Sequence, residues 1–383
     1  MKISVIASTK AGYFLPKEEA VDFSGKSAGI CYLPDTVETL FNEPVEKTLR
    51  RAKNNIASGH HSVFGHPTYN LCFEGIPKIL AMILNNEKVY NTSEKSARYT
   101  RMEPSVEEKK LYEKWIEIYK EQILLKYPKF DEKRAQKLAQ ENARYLISVF
   151  TPATIMEYTV NFEQLNYIIS WARDYISNEG YDEFSFKLRE VFKEFLYEMP
   201  NLEVDGLNSS LKNRSFSMFA KNKVRDEEFG ENYSINYLAS FAQLAQAQRH
   251  RTLSYEMTLL ETPQYYIPPI IRNTELEEQW LKDISSLEKY FPQGMLVHVN
   301  ERGTIENFVL KCTERLCGCA QLEIMQQTQV TMKRYLEELS KCKNQRLYDY
   351  LLPYSKGSRC TFPGWKCDSP CIFGGKEAMS RCI

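Results

Sequence analysis

The sequence lacks three features that would point to a membrane or to nucleic acid. It has no uninterrupted apolar run near the roughly 18 residues that a transmembrane helix needs. It has no charged-then-apolar leader, because its start, MKISVIAS, is typical of a first β-strand. Its 50 basic and 50 acidic residues balance, which argues against a broad basic face. We therefore expect a soluble, cytoplasmic protein without membrane or nucleic-acid partners.

Cysteine is scarce along most of the chain and is concentrated at its end, where eight of the ten cysteines follow residue 310. In a chain of this length, that distribution favours reduced thiols over a secreted disulfide scaffold. The last part of the chain is rich in glycine and proline and has few residues that could form a hydrophobic core. Such a segment often needs a cross-link or a bound metal ion to stabilise it. A zinc or iron-sulfur site is one prediction, and a loose tail with ordinary thiols is the alternative. The candidate ligands are Cys360, Cys367, Cys371 and Cys382.

Strand and helix patterns alternate along the first half of the chain. Residues 68–73 alternate between polar and apolar side chains as a β-strand does, and residues 76–88 have apolar side chains at helical spacing. Residues 106–150 predict a charged, aromatic-rich helical region that breaks near Pro128, and the turn-forming residues 200–206 predict a linker. With 383 residues, 43% of them hydrophobic, the chain can form two domains of the α+β class.

Two polar stretches carry the chemistry. Residues 249–251, Arg-His-Arg, follow an Ala- and Gln-rich helix and present cationic groups to an anion. Residues 94–99, Glu-Lys-Ser-Ala-Arg-Tyr, supply a carboxylate, a hydroxyl and a guanidinium, which suit the sugar and phosphate of a nucleotide. Together they are the separated halves of one motif.

That motif resembles the signature of the flavin-dependent thymidylate synthases, R-H-R-x-x-S-x-x-E-x-S-x-R-Y, in which R-H-R binds the flavin and E-x-S-x-R the nucleotide. Residues 76–99 keep the nucleotide half, at Glu94, Ser96, Arg98 and Tyr99. In place of R-H-R they have Asn86, Glu87 and Lys88. Residues 235–261 keep the flavin half, at Gln246, Arg249, His250, Arg251 and Ser254. In place of the nucleotide residues they have Met257, Leu259 and Glu261.

The resemblance covers nearly all of residues 1–350 and implies two tandem copies of the family's fold, a mainly antiparallel sheet flanked by long helices. Residues 1–203 would form a first copy that has lost R-H-R, and residues 204–352 a second copy that has lost the nucleotide motif. The cysteine-rich residues 353–383 lie outside the resemblance. In each copy a Val-Asn pair, at residues 160–161 or 299–300, precedes a helix that leads to an arginine, as in the family. The two arginines are Arg173 and Arg315, and the residues around Arg315 match the family better.

The resemblance also implies an FAD site. Arg249, His250 and Arg251 would hold the flavin's diphosphate and its isoalloxazine edge, and the alternative is that they are surface residues that complement a helix dipole. His66 would lie close to the flavin, although Gly65 precedes it where the family usually has Glu. The other implied cofactor residues are Asn300, Arg302 and Asn307. In the first copy Glu163 takes the place of Arg302 and would repel a diphosphate.

For the nucleotide, the resemblance implies that Arg98 binds the phosphate, with Ser96 and the Ala97 N–H beside it, and that Glu94 faces the sugar or base. Ala97 stands where the family has Gly. The further substrate-binding residues implied are Gln246 and Arg144. The alternative for Glu94 and Arg98 is an ordinary ion pair one helical turn apart, worth about 0.2–0.5 kcal/mol.

The implied catalytic group is Arg315, which would face the uracil ring and favour negative charge on it, so that C5 becomes nucleophilic without an enzyme thiol. The implied reaction transfers a methylene from methylenetetrahydrofolate to dUMP, with FAD carrying hydride from NADPH. Family members are homotetramers with sites between subunits, so a homodimer with two sites is expected here. The alternatives are C5 methylation of another pyrimidine nucleotide, such as UMP, and a non-catalytic nucleotide-binding protein.

Overall fold

A computed structural model describes residues 1–10, 14–32, 36–95, 104–178, 180, 182–212, 214–219, 225–367, 371–374 and 377–383. The β-strands in these residues are β1 (Lys2–Ser8), β2 (Thr68–Pro77), β3 (Tyr90–Glu94), β4 (Pro152–Asn161), β5 (Glu228–Phe229), β6 (Asn232–Ser240), β7 (Ser254–Leu259) and β8 (Leu296–Thr304). The α-helices are α1 (Lys17–Ser27), α2 (Val37–Phe41), α3 (Val45–Ala57), α4 (Lys78–Leu84), α5 (Val106–Lys126), α6 (Glu132–Ala143), α7 (Phe162–Asn178), α8 (Glu183–Glu198), α9 (Phe241–Ala247), α10 (Glu275–Ser285), α11 (Ile305–Arg315), α12 (Leu322–Lys341) and α13 (Gln345–Leu351).

The chain forms two units, each with one antiparallel sheet. The first unit contains residues 1–103 and 150–217, and the second contains residues 104–149 and 218–383. Four strands form each sheet in the described residues, and helices pack on the sheets. The predicted α+β class is therefore confirmed.

The sheet of the first unit has the strand order β1-β2-β4-β3. In β2 the buried side chains Tyr69, Leu71 and Phe73 alternate with partly buried ones, as the sequence pattern predicted. Their register is fixed by β4, where Val160 pairs with Tyr69 and Met156 with Phe73. All four of the paired residues are buried, so one face of this sheet packs into a core.

The second sheet has the order β5-β6-β8-β7, which repeats the order of the first. In both units a short helix of seven residues, α4 or α9, follows the second strand and precedes the next one. In both units a longer helix, α7 or α11, begins directly after the last strand. The same succession of elements thus occurs twice along the chain.

Helices α5 and α6 lie between β3 and β4 in the sequence, yet they belong to the second unit. The sequence-based division assigned them to a first copy spanning residues 1–203. Their aromatic residues explain the difference: the Trp115 and Trp280 ring centroids are 4.9 Å apart in a perpendicular arrangement, and Tyr119 lies 5.6 Å from Trp280. All three side chains are fully buried, and Trp280 comes from α10 of the second unit.

Residues 353–383, which the sequence analysis treated as a separate tail, also belong to the second unit. The Arg359 amide donates to the Leu316 carbonyl at 2.7 Å, directly after α11. The guanidinium of Arg381, which is 5% exposed, donates to the Ala320 carbonyl at 2.6 Å. The tail therefore binds the loop between α11 and α12 and is not a loose segment at these positions.

The remaining local predictions agree with the structure except at one boundary. The predicted first strand is β1, and the predicted break near Pro128 separates α5 from α6. The helix expected over residues 76–88 is shorter, because α4 ends at Leu84 and the chain turns before β3. None of the described helices is both long enough and apolar enough to cross a membrane.

We predict that replacing Trp280 by Ala lowers the free energy of unfolding by about 3–5 kcal/mol, because it empties the space between Trp115 and Tyr119. It also removes the hydrogen bond from Trp280 Nε1 to the Tyr266 carbonyl, at 2.8 Å. Urea denaturation followed by circular dichroism measures the change. Tyr197→Ala is the control, because Tyr197 is 86% exposed and should change stability by less than about 0.5 kcal/mol. Equal effects of the two substitutions would contradict the packing described.

Candidate functional site

A cationic turn connects α9 to β7 in the second unit. The Arg249 amide donates to the Gln246 carbonyl at 3.4 Å, and the His250 amide donates to the Ala247 carbonyl at 2.9 Å. This tight turn exposes Arg249 and buries His250, which is 5% exposed, while Arg251 is exposed again. The Arg-His-Arg sequence therefore presents two guanidinium groups outward and one imidazole inward.

His250 is held by Arg315, the last residue of α11. Arg315 Nε donates to His250 Nε2 at 2.6 Å, and an Nη atom donates to the Gln246 carbonyl at 3.3 Å. Burial, together with the positive charges of Arg315 and Lys311, lowers the pKa of His250 to about 2. The imidazole is therefore neutral, as it must be for its Nε2 to accept a hydrogen bond. Gln246, His250 and Arg315, three of the predicted site residues, lie together.

A buried ion pair supports this arrangement from α11 and β8. Lys311 Nζ lies 2.6 Å from Glu301 Oε2, and both side chains are completely buried. The hydroxyls of Tyr233 and Tyr237 each donate to the Glu301 carboxylate at 2.7 Å, so the carboxylate is fully bound. The sequence analysis missed Lys311. Its signal was its position four residues before Arg315, which places both cations on one face of a helix.

The other predicted cofactor residues of the second unit lie on β8 and α11. Asn300 is buried; its Nδ2 donates to Ser234 Oγ at 2.9 Å, while its Oδ1 has no hydrogen-bond partner in the described residues. Arg302 binds the Glu256 carboxylate at 2.7 Å. Asn307 Nδ2 donates to the Thr252 carbonyl at 3.3 Å, which ties α11 to the cationic turn. Asn307 therefore lies at the cationic turn, whereas Arg302 is bound to the carboxylate of Glu256.

Arg144 is a buried cation in a short 3-10 turn, Arg144–Leu146, of the second unit. It is 4% exposed, and its Nε has no hydrogen-bond partner in the described part of the chain. Beside it, the Tyr145 hydroxyl donates to Glu323 at 2.9 Å, and burial raises the pKa of Glu323. A buried guanidinium nitrogen without an acceptor is costly, so this position fits an anionic ligand.

A turn with the same two backbone hydrogen bonds follows α4 in the first unit, but its side chains are different. After α4 the amides of Asn86 and Glu87 donate to the third residue before each, as those of Arg249 and His250 do. Glu87, at the place of His250, is 2% exposed and accepts a hydrogen bond from the Ser217 amide at 2.6 Å. Burial raises its pKa to about 7, although the hydrogen bonds from Ser217 oppose the shift. A carboxyl group here cannot attract a phosphate.

In the first unit the arginine that corresponds to Arg315 is Arg173, and its partner is a carboxylate instead of an imidazole. Arg173 on α7 binds Glu203 through Nε at 2.9 Å, and more than half of its side chain is exposed. Glu163 lies near Gly65, where an added Cβ would be 3.7 Å from its carboxylate. His66 is exposed at the end of the 3-10 turn His61–Gly65.

The nucleotide motif is described only at its start. Glu94 is the last residue of β3, so it lies on a strand and not on a helix, and its carboxylate binds Lys78 Nζ at 2.5 Å. Ser96, Ala97 and Arg98 lie outside the described residues. His61 is buried, and its Nδ1 lies 2.7 Å from the Tyr167 hydroxyl.

The cysteines proposed as zinc ligands do not form a cluster in the described residues, where no group of three or more potential ligands is close enough to hold a metal ion. Cys382 lies 3.4 Å from the Tyr127 hydroxyl, and Cys360 lies 3.0 Å from the Ser358 hydroxyl. Cys371 instead lies beside Gly318. Cys360 and Cys382 thus have different side chains as hydrogen-bond partners.

One family model matches the sequence, that of the thymidylate synthase complementing proteins, over residues 19–196, a little under half of the chain. No curated protein matches it. Among similar solved structures is the flavin-dependent thymidylate synthase ThyX from Helicobacter pylori complexed with FAD and dUMP. It is 17% identical with a TM-score of 0.32, and the match covers 52% of this chain and 94% of that one. A UMP/dUMP methylase, PolB from Streptomyces cacaoi bound with 5-Br dUMP, is 14% identical with a TM-score of 0.33, covering 51% and 87%.

We predict that acid destabilises the protein through His250. In the unfolded chain a histidine binds a proton below about pH 6.5, whereas the folded pKa of His250 is about 2. The stability that the neutral imidazole maintains is complete above the unfolded pKa and decreases as the pH falls below it, by about 1.4 kcal/mol per pH unit. Urea unfolding between about pH 7 and about pH 5 should show a loss of roughly 2 kcal/mol from this group.

Two variants isolate this contribution. His250→Gln removes the titrating group, so its unfolding free energy should depend less on pH over the same range. His66→Gln is the control, since His66 is exposed and its loss should leave the wild-type slope unchanged. A slope that is the same in the wild type and in His250→Gln would show that His250 is protonated in the folded protein.

Proposed function

We propose that the chain, whose residues 19–196 match the family model of the thymidylate synthase complementing proteins, is a flavin-dependent thymidylate synthase. In the proposed reaction a methylene group moves from methylenetetrahydrofolate to C5 of dUMP and is reduced to methyl with hydride that FAD carries from NADPH. The products are dTMP and tetrahydrofolate. The observation that carries the proposal is the cationic turn, in which neutral His250 accepts a hydrogen bond from Arg315 at 2.6 Å.

The residues of the cationic turn fit a flavin dinucleotide. Arg249 and Arg251 are exposed on either side of a neutral imidazole, which suits a diphosphate that approaches from outside. Asn300 adds a buried Oδ1 without a partner among the described residues, which suits a ligand N–H or hydroxyl. Asn307, Arg302 and His66 are the further proposed contacts. When bound, FAD supplies hydride transfer.

We assign activation of the uracil ring to Arg315. Its guanidinium is fixed by two hydrogen bonds, one to His250 and one to the Gln246 carbonyl. A fixed positive charge beside the uracil N3 and its carbonyl stabilises negative charge on the ring, and C5 then becomes nucleophilic. Because His250 is neutral, it does not compete for that negative charge. This chemistry requires no cysteine nucleophile.

The proposed nucleotide contacts are Glu94, Ser96, Ala97, Arg98, Gln246 and Arg144. Among these residues Arg144 has the most direct structural support, because its buried Nε has no hydrogen-bond partner in the described part of the chain. The phosphate of dUMP would provide the missing acceptors. Glu94 is nearly buried and bound by Lys78, so its carboxylate is oriented before a nucleotide arrives.

The contrast between the two turns supports one flavin per chain. Where the second unit has a neutral imidazole between two exposed arginines, the first has the buried carboxyl of Glu87. A diphosphate would gain no cationic partner from Glu87 and would be repelled by its ionised form. We propose that the E-x-S-x-R motif of the first copy supplies the main nucleotide contacts, that the R-H-R motif of the second copy supplies the main flavin contacts, and that the chain acts as a homodimer.

A turnover assay with dUMP, methylenetetrahydrofolate, NADPH and FAD tests the reaction. We predict that Arg249→Ala and Arg98→Ala each lower dTMP formation by a factor of about 100 or more, because each removes a charged donor from a bound phosphate. The matched control is Lys88→Ala, which removes the exposed cation at the position in the first turn that corresponds to Arg251. It should keep wild-type turnover.

Full turnover of Arg249→Ala or Arg98→Ala would refute the assignment of these residues. The same assay with UMP in place of dUMP distinguishes the alternative substrate, since a protein that methylates UMP faster than dUMP belongs to the alternative class of pyrimidine methylases. A protein that binds dUMP but forms no product with FAD present would support the non-catalytic alternative.

Mixing the two inactive variants tests the proposed homodimer. If flavin residues of one chain act with nucleotide residues of its neighbour, a dimer of Arg249→Ala with Arg98→Ala has one site without either defect. Co-expression with two affinity tags isolates that heterodimer, and we predict about half of the wild-type turnover per dimer. Absence of recovery in the isolated heterodimer would mean that each site uses residues of a single chain or needs both sites intact.

A further inference from the structure

The loop that follows Arg315 carries two cysteines separated by one glycine, Cys317-Gly318-Cys319. Residues of the C-terminal tail hold this loop from both ends. Arg359 binds the Leu316 carbonyl through its amide at 2.7 Å, and Arg381 donates to the Ala320 carbonyl at 2.6 Å. The backbone of the loop is therefore fixed against the tail, and its cysteines cannot move far from the tail's own.

A third cysteine from the tail packs on the glycine of this loop. A Cβ added to Gly318 would lie 3.0 Å from Cys371 Sγ, a distance closer than nearly all real Cβ contacts. Only a glycine gives the Cys371 thiol this space. On the other side, the Cys319 amide donates to Cys317 Sγ at 3.5 Å. The cysteines Cys317, Cys319 and Cys371 thus all lie next to Gly318.

The pKa of the Cys319 thiol is affected by both Cys317 and Cys371. Burial raises its pKa, and the Cys317 and Cys371 sulfurs raise it further, as neighbours that would carry the same charge do. Cys319 and Cys371 are both exposed, so a small oxidant reaches them. Because the thiolate is the attacking species, the raised pKa makes Cys319 the slower of these thiols to react with an oxidant; the proximity of the thiols, the access for an oxidant and the fixed backbone favour a disulfide.

We propose that Cys371 and the Cys317-Gly318-Cys319 loop form a covalent modification site, in which a hydroperoxide converts two of the thiols to a reversible disulfide that joins the tail to the end of α11. A thiolate sulfur first attacks one peroxide oxygen, the O–O bond breaks, and the leaving oxygen takes up a proton. The resulting sulfenic acid is attacked by the second thiol, an S–S bond forms, and water leaves. The two sulfurs lose two electrons, which the hydroperoxide gains.

The site lies next to the proposed chemistry without being part of it. The loop begins two residues after Arg315, whose guanidinium holds His250. A disulfide here would fasten the carbonyl end of α11 to the tail through a covalent bond as well as through Arg359 and Arg381. Its formation does not depend on the proposed thymidylate synthase activity, so the two proposals succeed or fail separately.

Peptide mapping of the full-length protein tests the modification. Reduced protein is treated with hydrogen peroxide, remaining thiols are blocked with iodoacetamide, and the digest is analysed by mass spectrometry without reduction. We expect a cross-linked peptide that joins Cys371 to Cys317 or Cys319, lighter by two hydrogen atoms than its parts and abolished by dithiothreitol. Cys342 and Cys31, which are exposed elsewhere, should remain alkylated.

Two variants separate this site from general oxidation. Cys371→Ser keeps the size of the side chain and should abolish the cross-link, whereas Cys342→Ser should form it to the wild-type extent. The proposal is overturned if Cys371 stays as accessible to iodoacetamide as Cys342 after peroxide treatment. It is equally overturned if Cys371 pairs only within the tail, for example with Cys367. Thermal unfolding of each variant under reducing conditions confirms that both are folded.

Discussion

The hydrogen bond from Arg315 Nε to His250 Nε2 is the interaction on which the candidate site depends. It forms only if the imidazole is neutral, and the protein ensures this by burial and by two cations, Arg315 and Lys311. Lys311 in turn is tolerated in the core because Glu301 compensates its charge at 2.6 Å. Removing one partner of such a buried pair costs about 3–5 kcal/mol, so the pair and the site are coupled. The end of α11, the turn after α9 and strand β8 are thereby fixed relative to each other within one unit.

The same backbone turn supports opposite chemistry in the two units. In each, two successive amides after a helix of seven residues donate to carbonyls of its last turn. The second unit then buries a neutral imidazole and exposes two guanidinium groups, while the first buries Glu87 and satisfies it with the Ser217 amide and hydroxyl. Since these two backbone hydrogen bonds are alike, the difference in charge between the two turns comes from their side chains. This is why we assign the flavin to one turn and not to both.

Much of the local structure follows from the sequence. The alternation in β2 and the break near Pro128 give the correct elements, because both depend on neighbours along the chain. The assignment of α5 and α6 to the second unit could not be predicted in this way, since it results from Trp115 packing on Trp280, far apart in the sequence. The tail was expected to need a metal staple, whereas two arginines bind it to main-chain carbonyls.

The candidate site was predictable in its residue types but not in their protonation or partners. The Arg-His-Arg motif identified the turn, yet only the fold reveals that His250 points inward and that Arg315 is its partner. Glu301 was not selected, because a glutamate ten residues before a lysine has no distinctive pattern in a sequence with 26% charged residues; only the position of Lys311, four residues before Arg315, was a signal. Arg302, chosen for a flavin, binds Glu256, a residue whose role only the pairing of β7 with β8 makes visible.

The most direct test of the account is the number of FAD molecules that bind per chain. Titration of flavin-free protein, followed by the quenching of flavin fluorescence, gives this number together with the dissociation constant. The account predicts one FAD per chain, held by the turn that contains His250. Two per chain would contradict it, because the turn that buries Glu87 would then bind the cofactor as well, and none would contradict the assignment of the cationic turn itself.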